Sequence, residues 1–216
     1  MKYKLVIFDL DGTLLDTLED IAQSCNDTLE AFGFGREEEQ EYRYHVGSGA
    51  RKLIENVTYL PSTDPLVDKM LMLFEEIYAS QYADNTAPYS GVEEMLVSLQ
   101  SSGVKLAILS NKPDGFVKDC VKMFLPSFNF EVVLGEIEGM ERKPSNDGVD
   151  FIVKTLHVNK DEVLFVGDTK IDMQTSVNSK VDGCGVTWGF RDEDELRENG
   201  SKYIIHNPLE LLEIIE

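Results

Sequence analysis

Two aspartates, Asp9 and Asp11, stand one residue apart where the apolar run Leu5-Val6-Ile7-Phe8 gives way to Gly12-Thr13. A buried strand that ends this way holds two carboxylates with little freedom, while Gly12 lets backbone amides approach an anion and Thr13 adds a hydroxyl. Such a group suits phosphoryl chemistry, because an ionised carboxylate needs no base to attack phosphorus once its repulsion from the phosphate is relieved. A strand-end Asp-x-Asp also fits a turn that caps the next helix. Three later segments bear on that choice. Ser110 and Asn111 follow the apolar run Leu106–Leu109, Lys143 precedes Pro144, and Gly167-Asp168-Thr169-Lys170-Ile171-Asp172 follows Val163–Val166. Each has a plain structural alternative as well: Ser110-Asn111 as a helix-capping pair before Pro113, Lys143 as a solvated side chain, Asp168 as a helix cap.

Taken in order, the four segments resemble the motifs of the haloacid dehalogenase-like phosphohydrolases, and together they span nearly the whole chain. The resemblance implies an α/β fold, a doubly wound parallel-sheet core with an all-helical cap inserted after the first motif. It implies Asp9 as nucleophile and Asp11 as general acid and base. Ser110, Asn111, Lys143, Gly12 and Thr13 would hold the phosphoryl oxygens. Mg²⁺ would be held by Asp9, the backbone carbonyl of Asp11 and Asp168, an all-oxygen set of the kind that ion prefers. Asp172 would order a metal-bound water or pair with Lys143. Two departures from the family pattern, Ser179-Lys180 for an Ala-Gly pair and Ser145-Asn146 where a second proline is common, touch helix termination and not the chemistry.

A short helical cap and the tail Gly185-Val186-Thr187-Trp188-Gly189-Phe190 look most like the phosphoglycolate phosphatase branch. The implied activity is Mg²⁺-dependent hydrolysis of a small phosphorylated metabolite, 2-phosphoglycolate first, through an aspartyl-phosphate. Inorganic pyrophosphatases and β-phosphoglucomutases share the same catalytic residues and stand as alternatives. A phospho-accepting switch domain is the non-enzymatic alternative, although it needs neither a cap nor a second acid for turnover.

Forty acidic and twenty basic residues give a formal charge of −20, which repels nucleic acid and anionic membranes. An anionic substrate must then be attracted locally, by a metal and a few placed cations. No apolar stretch is long enough to span a bilayer, and Met1-Lys2-Tyr3-Lys4 leads straight into a strand, so a cytoplasmic protein with no membrane or nucleic acid partner is expected, monomeric or a weak homodimer. Cys25, Cys120 and Cys184 have neither disulfide nor zinc spacing and read as reduced, buried thiols.

Periodicity divides the chain into residues 1–15 and 84–216, an α/β core, and 16–83, the helical cap. In the cap a first helix runs through Leu18, Ile21, Ala22, Cys25, Leu29 and Phe32; a second is expected over Arg36–His45; a third carries Leu53, Ile54 and Val57; Asp64-Pro65 opens a fourth. In the core, strand-like runs Val104–Leu109, Phe130–Leu134, Val163–Val166, Val181–Thr187 and Tyr203–Ile205 alternate with helical periods, the pattern of a parallel sheet covered on both faces. Such sheets bind ligands at the carboxyl ends of their strands, where Asp9, Ser110 and Asp168 all fall. In the cap, the loop His45–Arg51 has glycines that would let amides and Arg51 approach a substrate carboxylate, against the alternative of a plain turn with a solvated Arg51; His45 is the weakest candidate.

Overall fold

The structure, a computed structural model, describes residues 2–215. Its core begins with β1 (Leu5–Phe8), four residues with no polar side chain and all buried, as a strand covered on both faces must be. The chain then passes through β2 (Leu15–Asp16), α1 (Leu18–Ala31), α2 (Tyr42–His45), α3 (Ala50–Thr58) and α4 (Pro65–Gln81) before β3 (Ala87–Pro88), which pairs with β2 in a two-stranded ribbon. It continues as α5 (Val92–Ser101), β4 (Lys105–Pro113), α6 (Asp114–Phe124), β5 (Val132–Glu136), α7 (Asp147–Leu156), β6 (Val163–Gly167), α8 (Lys170–Ser179), β7 (Asp182–Val186), α9 (Glu193–Glu198), β8 (Tyr203–Ile205) and α10 (Leu211–Ile215).

The large sheet has the order β5-β4-β1-β6-β7-β8, and its neighbours pair in parallel. From the central β1 the chain builds outward to β4 and β5, then returns to β6 on the other side. The order therefore reverses beside β1, the position at whose carboxyl end doubly wound sheets bind their ligands. Leu5, Ile7, Ala107, Leu109 and Phe165 meet Val149, Ile152 and Val153 of α7 in one buried cluster. The alternate residues Val6, Phe8, Leu106, Ile108, Leu164 and Val166 are buried too, so both faces of the sheet are covered.

The chain divides into two compact units, one formed by the chain up to Leu15 together with the chain from Pro88 onward, the other being Asp16–Ala87. The return boundary falls at Ala87/Pro88 and not at 83/84. Asp20, buried in α1, explains the shift: its carboxylate accepts from the backbone N–H groups of Asn85 (2.9 Å) and Thr86 (2.9 Å) and from the Thr86 hydroxyl (2.7 Å), tying these residues to the helical unit. Within that unit Ile21, Cys25 and Leu29 of α1, Ile54 and Val57 of α3, and Val67, Met70 and Phe74 of α4 are buried at helical spacing. Asp64 caps α4 by accepting from the Leu66 N–H, with Pro65 in the first turn.

The helix expected over Arg36–His45 is shorter than that. A 3₁₀ turn at Glu39–Glu41 leads into the single turn α2, because Glu37 is held out of any helix by Asn26, whose side chain accepts from the Glu37 N–H (2.8 Å) and donates to its carbonyl (3.0 Å). In the core, β4 runs on past Leu109 to Pro113, with a shift of register against β5. Ser110, Asn111 and Lys112 therefore lie on a strand and do not cap α6.

Candidate active site

Parallel pairing of β4, β1 and β6 brings three strand ends side by side. Phe8 aligns with Ile108 on one side and Val166 on the other, and the Asp9 N–H donates to the Val166 carbonyl (2.9 Å). The residues one or two positions beyond this row thus contribute to one place: Asp9 directly after β1, Ser110 two residues on along β4, and Asp168 two residues on, just after β6. All three are buried.

After Asp9 the chain turns sharply, with the N–H groups of Leu14 and Leu15 donating to the Leu10 carbonyl (3.0 Å each). Gly12 sits at φ +83°, and a Cβ there would lie 2.7 Å from the Phe190 ring and inside the Asp168 carboxylate. Only glycine fits, on both counts. Thr13 donates its hydroxyl to Asp168 Oδ1 (2.9 Å), and Asp168 Oδ2 accepts from the Phe190 N–H (2.8 Å). The Trp188 indole donates to the Thr13 carbonyl (3.0 Å), and Gly189 has no room for a Cβ against the Gly12 carbonyl and Asp168. The segment Trp188–Phe190 after β7 is thereby clamped onto both the glycine turn and Asp168.

Thr169, and not Asp168, caps α8, in a reciprocal capping box with Asp172. That arrangement leaves Asp172 Oδ1 to accept from Lys143 Nζ (2.7 Å), and the same ammonium lies 2.9 Å from Asp9 Oδ1. Lys143 is itself held by Asn111, whose side chain accepts from the Lys143 N–H (2.9 Å) and donates to its carbonyl (3.0 Å). Burial works against the Lys143 ammonium, but the Asp172 and Asp9 carboxylates outweigh it and raise its pKa above the ordinary lysine value. Burial also pushes Asp9 well above the usual carboxylate range, opposed by Lys143 and reinforced by Asp172 and Asp168. Asp168 is pushed up to about 7, by burial first and Asp172 next.

Carboxylate oxygens of Asp9, Asp168 and Asp172 lie within 4.8 Å of one another. Four site carboxylates, Asp9, Asp11, Asp168 and Asp172, face two lysines, Lys143 and Lys112, the latter with Nζ 2.7 Å from Asp11 Oδ1. Fully ionised, these carboxylates would exceed the lysines by two negative charges, an excess that fits a divalent cation, and the all-oxygen donors fit a hard one. Asp172 is already committed to Lys143 and Thr169, which leaves Asp9 and Asp168 as the carboxylates best placed to hold it.

Of the residues singled out in the sequence, Asp9, Lys143, Asp168 and Asp172 form one network, Gly12 and Thr13 pack on Asp168, and Ser110 and Asn111 flank it on β4. The Asn111 carboxamide is engaged at both ends by the Lys143 backbone, so it positions the lysine where phosphate contact was expected. Arg51, in the helical unit, pairs with Asp68, and His45 with Glu37 (3.0 Å). Lys112 was not foreseen, and Trp188 and Phe190 were read only as part of a family-like tail, without their contacts to the glycine turn and Asp168. The available signals were a lysine inside a strand end in an acidic chain and the sole tryptophan directly after β7.

The chain's residues 6–186 match the model of the haloacid dehalogenase-like hydrolases. A phosphoglycolate phosphatase from Vibrio parahaemolyticus is 30% identical, covering 98% of this chain and 96% of its own length. One from Pseudomonas savastanoi pv. phaseolicola is 31% identical over 97% of this chain and 78% of its own. Among solved structures, a protein from Lactobacillus delbrueckii subsp. bulgaricus, provisionally assigned as a phosphoglycolate phosphatase, superposes with a TM-score of 0.94 at 33% identity, covering 100% of this chain and 99% of that one. With the doubly wound core, the inserted helical unit and the Asp9–Lys143–Asp168 network in agreement, the chain belongs to the haloacid dehalogenase-like hydrolase family.

Proposed function

We propose that this protein is a Mg²⁺-dependent phosphatase that hydrolyses 2-phosphoglycolate through a phosphorylated Asp9. The observation that carries the reading is the buried network in which Lys143 joins Asp9 to Asp172, with Asp168 beside them at the carboxyl ends of the sheet. The choice of ester draws on the relatives named phosphoglycolate phosphatase.

Asp9, Asp168 and the backbone carbonyl of Asp11 would hold the cation. When bound, it offsets the negative charge that nucleophile and phosphate bring together. The residues divide the remaining work. A carboxylate oxygen of Asp9 forms a bond to phosphorus as the ester P–O bond breaks in line, and the departing alkoxide oxygen takes the proton of Asp11. Asp11, now ionised, takes a proton from water as that water attacks phosphorus. The Asp9–phosphorus bond breaks, releasing inorganic phosphate and restoring both acids. Lys143, the Ser110 hydroxyl and the amides of the Gly12 turn hold the charge on the non-bridging oxygens. Asn111 keeps Lys143 aimed, while Thr13 and the Phe190 N–H keep Asp168 aimed.

The compartment proposed is the cytoplasm. Three buried free cysteines suit a reducing environment, and among the described residues no helix is long and apolar enough to cross a membrane.

The test is turnover of 2-phosphoglycolate, pyrophosphate, β-glucose 1-phosphate and a neutral alkyl phosphate with Mg²⁺, repeated in excess EDTA. The reading predicts the highest kcat/KM for 2-phosphoglycolate and loss of activity on chelation. Preference for pyrophosphate, or interconversion of β-glucose 1-phosphate and glucose 6-phosphate, would replace the substrate assignment.

A further inference from the structure

The network around Lys143 leaves out a second buried cation. Lys112 is the last residue but one of β4, is nearly as buried as Lys143, and places Nζ 2.7 Å from Asp11 Oδ1. Its backbone is fixed: the N–H donates to the Ser110 hydroxyl (3.3 Å), and Gly135 of β5 packs so closely that a Cβ there would sit 2.6 Å from the Lys112 carbonyl. A buried ion pair is in general a poor source of stability, since an apolar pair of the same volume commonly does as well. Its location points elsewhere.

The two lysines pair with acids that have different parts in the reaction. Lys143 is bound to the nucleophile Asp9 and to Asp172, and so belongs to the phosphoryl side. Lys112 is bound to Asp11, the acid assigned to the bridging oxygen, and so belongs to the leaving-group side. Whatever substituent lies next to the bridging oxygen comes close to the ammonium that touches Asp11. In a chain of charge −20, a substrate with an anionic leaving group needs a cation there, because the global field and the nearby carboxylates repel it. An ammonium has three donors and can hold Asp11 and a second carboxylate together.

We propose that Lys112 is the specificity-determining residue that recognises a carboxylate on the carbon adjacent to the ester oxygen, selecting phosphate esters of short 2-hydroxy acids. The inference rests on the phosphatase reading above and names the residue that reads the substrate. It shifts that task from Arg51, which already pairs with Asp68.

The test compares 2-phosphoglycolate with ethyl phosphate, in which a methyl group replaces the carboxylate. Lys112→Met lowers the ratio of kcat/KM for the two esters about 10- to 100-fold, chiefly through KM for 2-phosphoglycolate, and Lys112→Arg retains part of the ratio. Equal losses on both esters would overturn the inference and leave Lys112 acting only through Asp11. Calorimetry on Asp9→Asn protein reads recognition without turnover. That variant binds 2-phosphoglycolate more tightly than ethyl phosphate, and adding Lys112→Met removes the difference; no difference at the outset would overturn the inference by itself. Failure of the wild-type enzyme to hydrolyse either ester would instead refute the phosphatase reading, and the binding comparison would still judge Lys112.

Discussion

Replacing Lys143 by methionine removes the ammonium that lies 2.9 Å from Asp9 and 2.7 Å from Asp172 while keeping much of the side-chain volume. Both carboxylates are buried, and their loss of a shared counter-ion is the costly half of a buried ion pair, about 3–5 kcal/mol. For a chain of this length each kcal/mol moves Tm by roughly 2–4 °C, so metal-free variant should melt roughly 6–20 °C below wild type at pH 8. The deficit has a pH signature. Burial already raises Asp9 above its ordinary pKa, and without Lys143 it rises further. A folded state that holds a proton more tightly than the unfolded chain gains as pH falls, so the deficit should shrink between pH 8 and pH 5. Mg²⁺ should recover part of it by neutralising Asp9. Differential scanning calorimetry at both pH values, with EDTA and with Mg²⁺, reads all three effects, and kcat/KM should fall about 100- to 1,000-fold or more. A Tm change under about 2 °C at pH 8 with no pH dependence would refute the claim that Lys143 neutralises these acids.

Apparent Mg²⁺ affinity should strengthen as pH rises through about 7, since Asp168 must lose its proton to bind the ion; thermal-shift titrations at pH 5.5 and 8 giving equal affinity would contradict this. Gly189→Ala forces the Trp188–Phe190 segment away from Gly12 and Asp168, so it should cost about 1–3 kcal/mol and weaken Mg²⁺ binding together; a stability loss with unchanged Mg²⁺ affinity would reduce the segment to packing. At the opposite ends of the strands, Asp182 accepts from Lys2 (2.6 Å), Tyr3 (2.6 Å) and Lys202 (2.7 Å), and its carboxyl is pushed down to about 2. Burial opposes that shift and is outweighed by the three donors. Its contribution, about 1 kcal/mol for a partly exposed group, is therefore present above the ordinary aspartate pKa and lost as pH falls toward 2. Asp182→Asn should lower urea stability at pH 7, converge with wild type at low pH, and leave kcat unchanged.

The parts of the site legible in the sequence were those fixed by local pattern. Leu5–Phe8 and Val163–Val166 are uninterrupted apolar runs, so the acids that follow them had to emerge at strand ends, and parallel pairing placed Asp9 beside Asp168. Asp64-Pro65 announced α4 by the same local logic. Contacts between distant segments were not legible. A lysine at a strand end reads as solvated, whereas β4 runs on through Lys112, and Asp11, in the turn that follows the neighbouring β1, meets its ammonium. Asn111 read as an anion ligand because nothing nearby in sequence announces that Lys143, 32 residues later, claims both ends of its amide. Glu37 breaks the expected Arg36–His45 helix through Asn26, a contact that helical periodicity does not encode.

Covalent phosphorylation of Asp9 is the central claim, and chemical trapping tests it most directly. Wild-type and Asp11→Asn proteins would be mixed with substrate and Mg²⁺, quenched in acid within the first turnovers, reduced with borohydride and sequenced by mass spectrometry. Reduction turns an aspartyl-phosphate into homoserine. The account predicts homoserine at position 9 and at no other aspartate, with a larger yield wherever Asp11→Asn slows hydrolysis more than phosphorylation. Turnover that proceeds with no homoserine at position 9, or with the modification on Asp11 or Asp168, would contradict it.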